Sequence, residues 1–225
     1  MNIYFLVEGN TETKVYPKWL FYLVLELKEV KKLESVKNNN YYILSAGGYP
    51  SIKRNYLPIA IGDVNTYQQY NHLVVCLDAE GMDVVDKYME ITDFISNECL
   101  SLKTATLEIV IQNRCIETWF LGNREIYSEN PKSEYLIRYT SHFNVSTNDP
   151  ELMLNNGDFR THAKFHSAYL NALFREKKIQ YSKSNPRYVT EESYIQQLIN
   201  RTSNSNHLAT LKCFLDFCTT IKSKT

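Results

Sequence analysis

The sequence predicts an α/β fold, a mostly parallel sheet flanked by helices with a C-terminal helical cap. Three observations predict it. Met1–Val7 and His72–Leu77 are continuous apolar runs too short for stand-alone helices, the pattern of strands buried on both faces. Up to about residue 122 such runs alternate with segments of helical periodicity, as βαβ units require. Beyond that point only helical periodicity persists, so the chain divides into a core at 1–122 and a mainly helical region at 123–225.

The elements follow in order. The first strand runs into Glu8-Gly9, after which Asn10 or Thr11 can cap a helix whose apolar face is Tyr16, Leu20, Leu23, Val24 and Leu27. The charged stretch Lys28–Lys37 ends it. Tyr41–Ser45 is a second strand, Ala46-Gly47-Gly48 a turn, and Ile52–Ile61 a helix that Pro58 should interrupt. His72–Leu77 is the third strand and leads into Asp78-Ala79-Glu80-Gly81. Asp83–Cys99 reads as a helix, Thr106–Gln112 as a fourth strand and Asn113–Leu121 as a short helix. Arg160–Lys178, Thr190–Arg201 and Asn206–Lys222 read as helices separated by polar loops.

The composition is that of an ordinary globular chain. Lys plus Arg and Asp plus Glu both number 25, so no global basic footprint marks a nucleic-acid binder, although a local one is allowed. Five scattered cysteines without a C-x-x-C pair fit a reduced, cytoplasmic protein rather than a disulfide scaffold or zinc module. The N-terminus reads as a strand rather than a signal peptide, and no run is long enough to span a bilayer, so no membrane association is expected.

The functional clue is the acid at each strand end. In open parallel sheets, ligands gather outside the carboxyl ends of the strands. Glu8, Asp78 and Glu80 would share a crevice there, and clustered carboxylates call for a cation such as Mg²⁺ or Mn²⁺. Each acid taken alone is equally compatible with a helix or turn cap. Glu117 follows the fourth strand and, with Asn113 four residues earlier, forms a polar stripe; it is a further candidate, or a solvent-facing Glu beside Trp119. Glu12 reads as a first-turn acid favoured by the helix dipole.

Lys53, after Gly47-Gly48, could meet a phosphate at a helix start. Lys183 and Arg187 lie in a basic stretch with Arg175, Lys177 and Lys178, interleaved with Tyr181 and Tyr188; it suits either a nucleic-acid backbone or a solvated helix end. Other chemistries find no support. The sequence has no P-loop, no G-x-S-x-G elbow and no supported triad, and His162-Ala-Lys-Phe-His166 has Ala163 where a zinc protease has its general-base Glu.

Strand-Glu8-Gly9 followed by strand-Asp78-x-Glu80 resembles the TOPRIM fold of topoisomerases, primases and overcoming-lysogenization-defect-type nucleases. The fuller pattern, Val7-Glu8-Gly9-x-Thr11-Glu12, Gly47-Gly48, Asp78 and Ile116-Glu117-Thr118-Trp119, is similar to small stand-alone bacterial TOPRIM-related proteins, several associated with anti-phage defence. The resemblance covers roughly residues 1–121 and implies a TOPRIM-like sheet and a Mg²⁺- or Mn²⁺-dependent nuclease acting on DNA or RNA. It implies that Glu8 serves as base or acid and as metal ligand, that Asp78 and Glu80 hold the metal, and that Glu117 completes the set. It also implies an ATPase partner, since this chain carries no ATPase motif. One residue departs from the pattern: Glu80 stands where the family has Asp. A catalytically inert TOPRIM-like subunit that binds nucleic acid or regulates a partner is the alternative, and a homo-oligomer is left open.

Overall fold

β1 (Asn2–Val7) occupies the middle of the sheet, and all its residues are buried, as an apolar run with no polar face requires. This is seen in a computed structural model that describes residues 1–224. β3 (Asn40–Ser45) and β4 (His72–Asp78) pair with β1 on either side, both parallel, with Val7 opposite Ser45 and Cys76. The short β2 (Lys28–Glu29) pairs with β3, and β5 (Thr106–Gln112) lies beside β4. The five-stranded sheet is all-parallel, in the order β2-β3-β1-β4-β5.

Parallel neighbours need crossovers, and helices supply them. α1 (Glu12–Leu23) follows β1 and buries Val15, Tyr16, Trp19 and Leu20. α2 (Leu57–Tyr67) leads to β4, and α3 (Val84–Asn97) leads from β4 to β5, its start capped by the Asp83 carboxylate accepting from the Val85 N–H. Pro58 does not interrupt its helix. It stands in the first turn of α2, directly after a π-helical turn over Ile52–Tyr56, where the helix ladder changes register and a missing N–H removes little. The helix therefore runs to Tyr67.

By compactness the chain forms two units. The first unit holds Met1–Leu77, Met82–Ile111 and the described residues from Phe214 on. The C-terminal residues belong here because Phe214 stacks on Tyr16 at 5.0 Å and Phe217 packs edge-on against His72 at 5.5 Å.

The second unit holds Asp78–Gly81 and Gln112–Cys213. Its helices are α4 (Ile116–Phe120), α5 (Glu134–His142), α6 (His162–Glu176), α7 (Glu192–Asn204) and the first turn of α8 (Ala209–Lys222). Its core is aromatic: Trp119, Phe120, Phe165, Tyr169, Phe174 and Tyr194 are all buried. Phe120 meets Tyr194 edge-on at 6.4 Å, and the Tyr194 hydroxyl donates to the Phe120 carbonyl at 2.7 Å. All five cysteines are free thiols, and no helix among the described residues is long and apolar enough to cross a membrane.

Candidate functional site

Asp78 ends β4, half-buried, where the chain turns. The turn is tied to the segment after β5: the Ala79 N–H donates to the Gln112 carbonyl and the Glu80 N–H to the Arg114 carbonyl, both at 2.9 Å. That second segment leads into α4, every residue of which is buried. Because so short a helix is packed on every side, Glu117 lies inside with Trp119 and Phe120, at 0 % exposure.

A buried carboxylate requires compensation. Lys183 supplies part of it, reaching from the loop bridged by Ser182 and Asn185 to place Nζ 3.1 Å from Glu117 Oε1. The other oxygen, Oε2, has no hydrogen-bond partner. Burial alone would lower the Lys183 pKa. The Glu117 charge and hydrogen bond, reinforced by Cys115 and Asp78, outweigh that and raise it. The Cys115 thiol is pushed well up by its burial and then by the charges of Glu117 and Asp78. Asp78, Glu117, Cys115 and Lys183 thus share one electrostatic neighbourhood: two acids, a thiol kept protonated, and one ammonium.

Glu80 is exposed, with its backbone in the left-handed region at φ 54°.

Glu8 and Glu12 lie in the sheet unit. Glu8 is nearly buried, its N–H donating to the Cys76 carbonyl at 3.0 Å and its carbonyl accepting from Gly48 N–H at 2.8 Å. Glu12 is the first-turn acid of α1, and it is buried, at 3 % exposure. Its carboxylate lies over Gly9, where an added Cβ would stand 3.1 Å from Glu12 Oε2. A side chain at position 9 would therefore require the Glu12 carboxylate to give by a few tenths of an ångström. Among the described residues no group of three or more His, Cys, Asp or Glu side chains is gathered to hold a metal.

Lys53 has a local occupation. Its Nζ lies 2.5 Å from Glu90 Oε1, which also accepts from the Tyr49 hydroxyl, while the buried Lys87 Nζ sits 3.2 Å from Glu90 Oε2 and 3.5 Å from the centre of the Tyr49 ring. Burial would raise the Glu90 pKa, but Lys53, Tyr49 and Lys87 together hold it down at about 2. Arg187 is exposed at the start of a 3₁₀ turn over Arg187–Thr190.

The two histidines of α6 are structural. His166 is fully buried, with Nδ1 2.7 Å from Thr118 Oγ1 and Nε2 2.9 Å from the Met153 carbonyl. A carbonyl only accepts, so Nε2 carries the proton and Nδ1 accepts from the hydroxyl. Burial lowers the His166 pKa to about 4. His162 Nδ1 accepts from the Asn155 N–H at 2.9 Å.

Sequence reasoning passed over two groups. Cys115 lies beside the acid pair, and nothing in a lone cysteine marks it. Glu151 is buried and accepts from Thr210 Oγ1 at 2.5 Å and Thr210 N–H at 3.1 Å, at the start of α8; Thr210 Oγ1 in turn accepts from Trp119 Nε1 at 2.9 Å. The Asp149-Pro150-Glu151 run reads as an ordinary turn, and only the tertiary contact with Thr210 distinguishes it.

No family model matches the chain, and no curated protein and no solved structure matches it.

Proposed function

We propose that this chain is a metal-dependent phosphodiesterase of the TOPRIM type that cleaves DNA or RNA with Mg²⁺ or Mn²⁺. The observation that carries the reading is Glu117: a fully buried carboxylate, one oxygen without a hydrogen-bond partner, sharing its surroundings with the strand-end acid Asp78 and with a cation. The donor set fits a hard divalent ion, which takes oxygen ligands and commonly only one or two carboxylates. The Cys115 thiol, held protonated by burial, does not compete as a soft ligand.

Asp78 and Glu117 would hold the ion. When bound, it would supply Lewis-acid stabilisation of the phosphoryl oxygens. Lys183, displaced from Glu117, would carry its charge to the substrate phosphate. The TOPRIM resemblance gives Glu8, the acid after β1, the role of base or acid. Exposed Glu80 would serve a second ion or the leaving side. The TOPRIM resemblance adds an ATPase partner and a role in anti-phage defence to this proposal.

The alternative is an inert TOPRIM-like subunit, favoured by the same ion pair: Lys183 already neutralises Glu117, as a purely structural pair would. Cleavage of plasmid, single-stranded DNA and tRNA with Mn²⁺ separates the two. Glu117→Gln, Asp78→Asn and Glu8→Gln should each lower the rate about 100-fold or more. Equal background cleavage by wild type and variants would leave the inert subunit as the reading.

A further inference from the structure

α6 has two working faces. Phe165, His166, Tyr169, Leu170 and Leu173 are buried, and through Thr118 and His166 this side packs on α4. Lys164, Ala168, Ala172 and Arg175 fall on another stripe, because steps of four, four and three residues return to nearly the same angle. With α5 this stripe lines a groove of about 940 Å³.

The lining has a distinctive chemistry. Small side chains make its floor. Lys164 and Arg175 mark its ends, and the helix rise sets them about 16 Å apart. Neither cation makes a side-chain hydrogen bond or ion pair among the described residues. The rim acid, Glu176, is engaged by the Lys132 N–H at 2.8 Å. Tyr135, on the lining, is 65 % exposed. Phe159, half-buried, is braced from behind by Phe165 at 5.5 Å and Tyr139 at 6.1 Å.

We propose that the α5–α6 groove binds single-stranded nucleic acid, with phosphates on Lys164 and Arg175 and bases stacked on Tyr135 and Phe159. Unpaired cations at both ends of a groove want a polyanion, and one exposed and one half-buried ring beside small side chains offer unpaired bases a stacking surface. The distance between the cations suits about five stacked nucleotides at 3.4 Å each. The proposal names the substrate form of the phosphodiesterase, and rests on that reading only for the fate of the bound strand.

The test is fluorescence anisotropy with a labelled 20-mer of thymidine in EDTA, where metal-dependent cleavage cannot occur. Wild type should bind it more tightly than a 20-base-pair duplex or polyglutamate. Lys164→Glu and Arg175→Glu should each weaken binding at least about ten-fold and flatten the salt dependence by about 0.7 per lost phosphate contact. Tyr135→Ala should weaken it about five-fold or more. Lys103→Glu, an exposed cation of the other unit, should bind as wild type.

No binding, unchanged binding in the two charge reversals, or equal binding of polyglutamate with Tyr135→Ala silent would each overturn the groove proposal. The readings separate cleanly. Binding that follows these variants without any Mn²⁺-dependent cutting keeps the groove and removes the nuclease. Cutting combined with variant-independent binding does the reverse.

Discussion

Replacing Lys183 by Ala removes the cation from a fully buried carboxylate. Two unit charges 3.1 Å apart interact by about 5 kcal/mol at an effective dielectric of 20 and by about 1.3 kcal/mol in water. The Lys183 side chain is 61 % exposed, so solvent screening brings the contribution toward the lower figure, about 2 kcal/mol. For a chain of 225 residues that is a fall in Tm of about 4–8 °C. The assay is a thermal melt followed by circular dichroism, in EDTA and then in Mn²⁺. In EDTA, Lys183→Ala should melt lower by that margin. In Mn²⁺ it should recover, because an ion at 100 times its Kd stabilises by about 2.7 kcal/mol. Wild type should gain less, since Lys183 competes for the same carboxylate. In Glu117→Gln the Mn²⁺ effect should vanish, and adding Lys183→Ala should cost little more. Equal melting of Lys183→Ala and wild type in EDTA, or an Mn²⁺ effect that survives Glu117→Gln, would refute the reasoning.

Three further outcomes are expected. Burial raises the Glu151 pKa to about 7 against the Thr210 side-chain hydrogen bond, with Asp149 adding to the rise. Its stabilisation is thus fully present below about 4.5 and lost as pH rises through 7, whereas that of His166 is present above about 6.5 and lost as pH falls through 4. The two slopes oppose each other in between, so Glu151→Gln should expose a stability that rises with pH, and the wild-type-minus-variant difference from urea unfolding should fall by up to about 3 kcal/mol between pH 4.5 and 7; a flat difference would contradict the assignment. Glu90→Gln strands the ammonium of Lys87, which is 2 % exposed, and should cost about 3–5 kcal/mol in urea unfolding, a loss under about 1 kcal/mol counting against it. Gly122→Ala would set a Cβ 2.8 Å from the Trp119 carbonyl oxygen and 2.3 Å from Leu208 Cδ1 and should cost about 1–3 kcal/mol, which a wild-type urea midpoint would rule out.

What could be read from sequence follows from where the information lies. β1 and β4 were legible because burial on both faces forces an unbroken apolar run, and the acids that follow them were legible by position alone. β2 was not: Lys28-Glu29 is polar and joins β3 through backbone pairing, which any side chains permit. The effect of Pro58 was misjudged because it depends on its place in the helix ladder, which the π-helical turn before it decides. Glu117 was recognisable as a candidate, but its total burial and its pairing with Lys183 arise from a loop distant in sequence. Glu80, next to Asp78 in the motif, turns outward with a left-handed backbone that its residue type does not announce. The burial of Glu12 over Gly9 was hidden for the same reason: a first-turn acid and a core acid look alike until the fold closes around one of them.

The most direct test of the central claim is a crystal of the protein soaked in Mn²⁺ and measured for anomalous scattering. The account predicts a peak with oxygens of Asp78 and Glu117 at about 2.1–2.2 Å, as for a Mg²⁺-like ion, and with Lys183 Nζ moved off Glu117. Lys183 still paired with Glu117 and no anomalous density beside the two acids would contradict it.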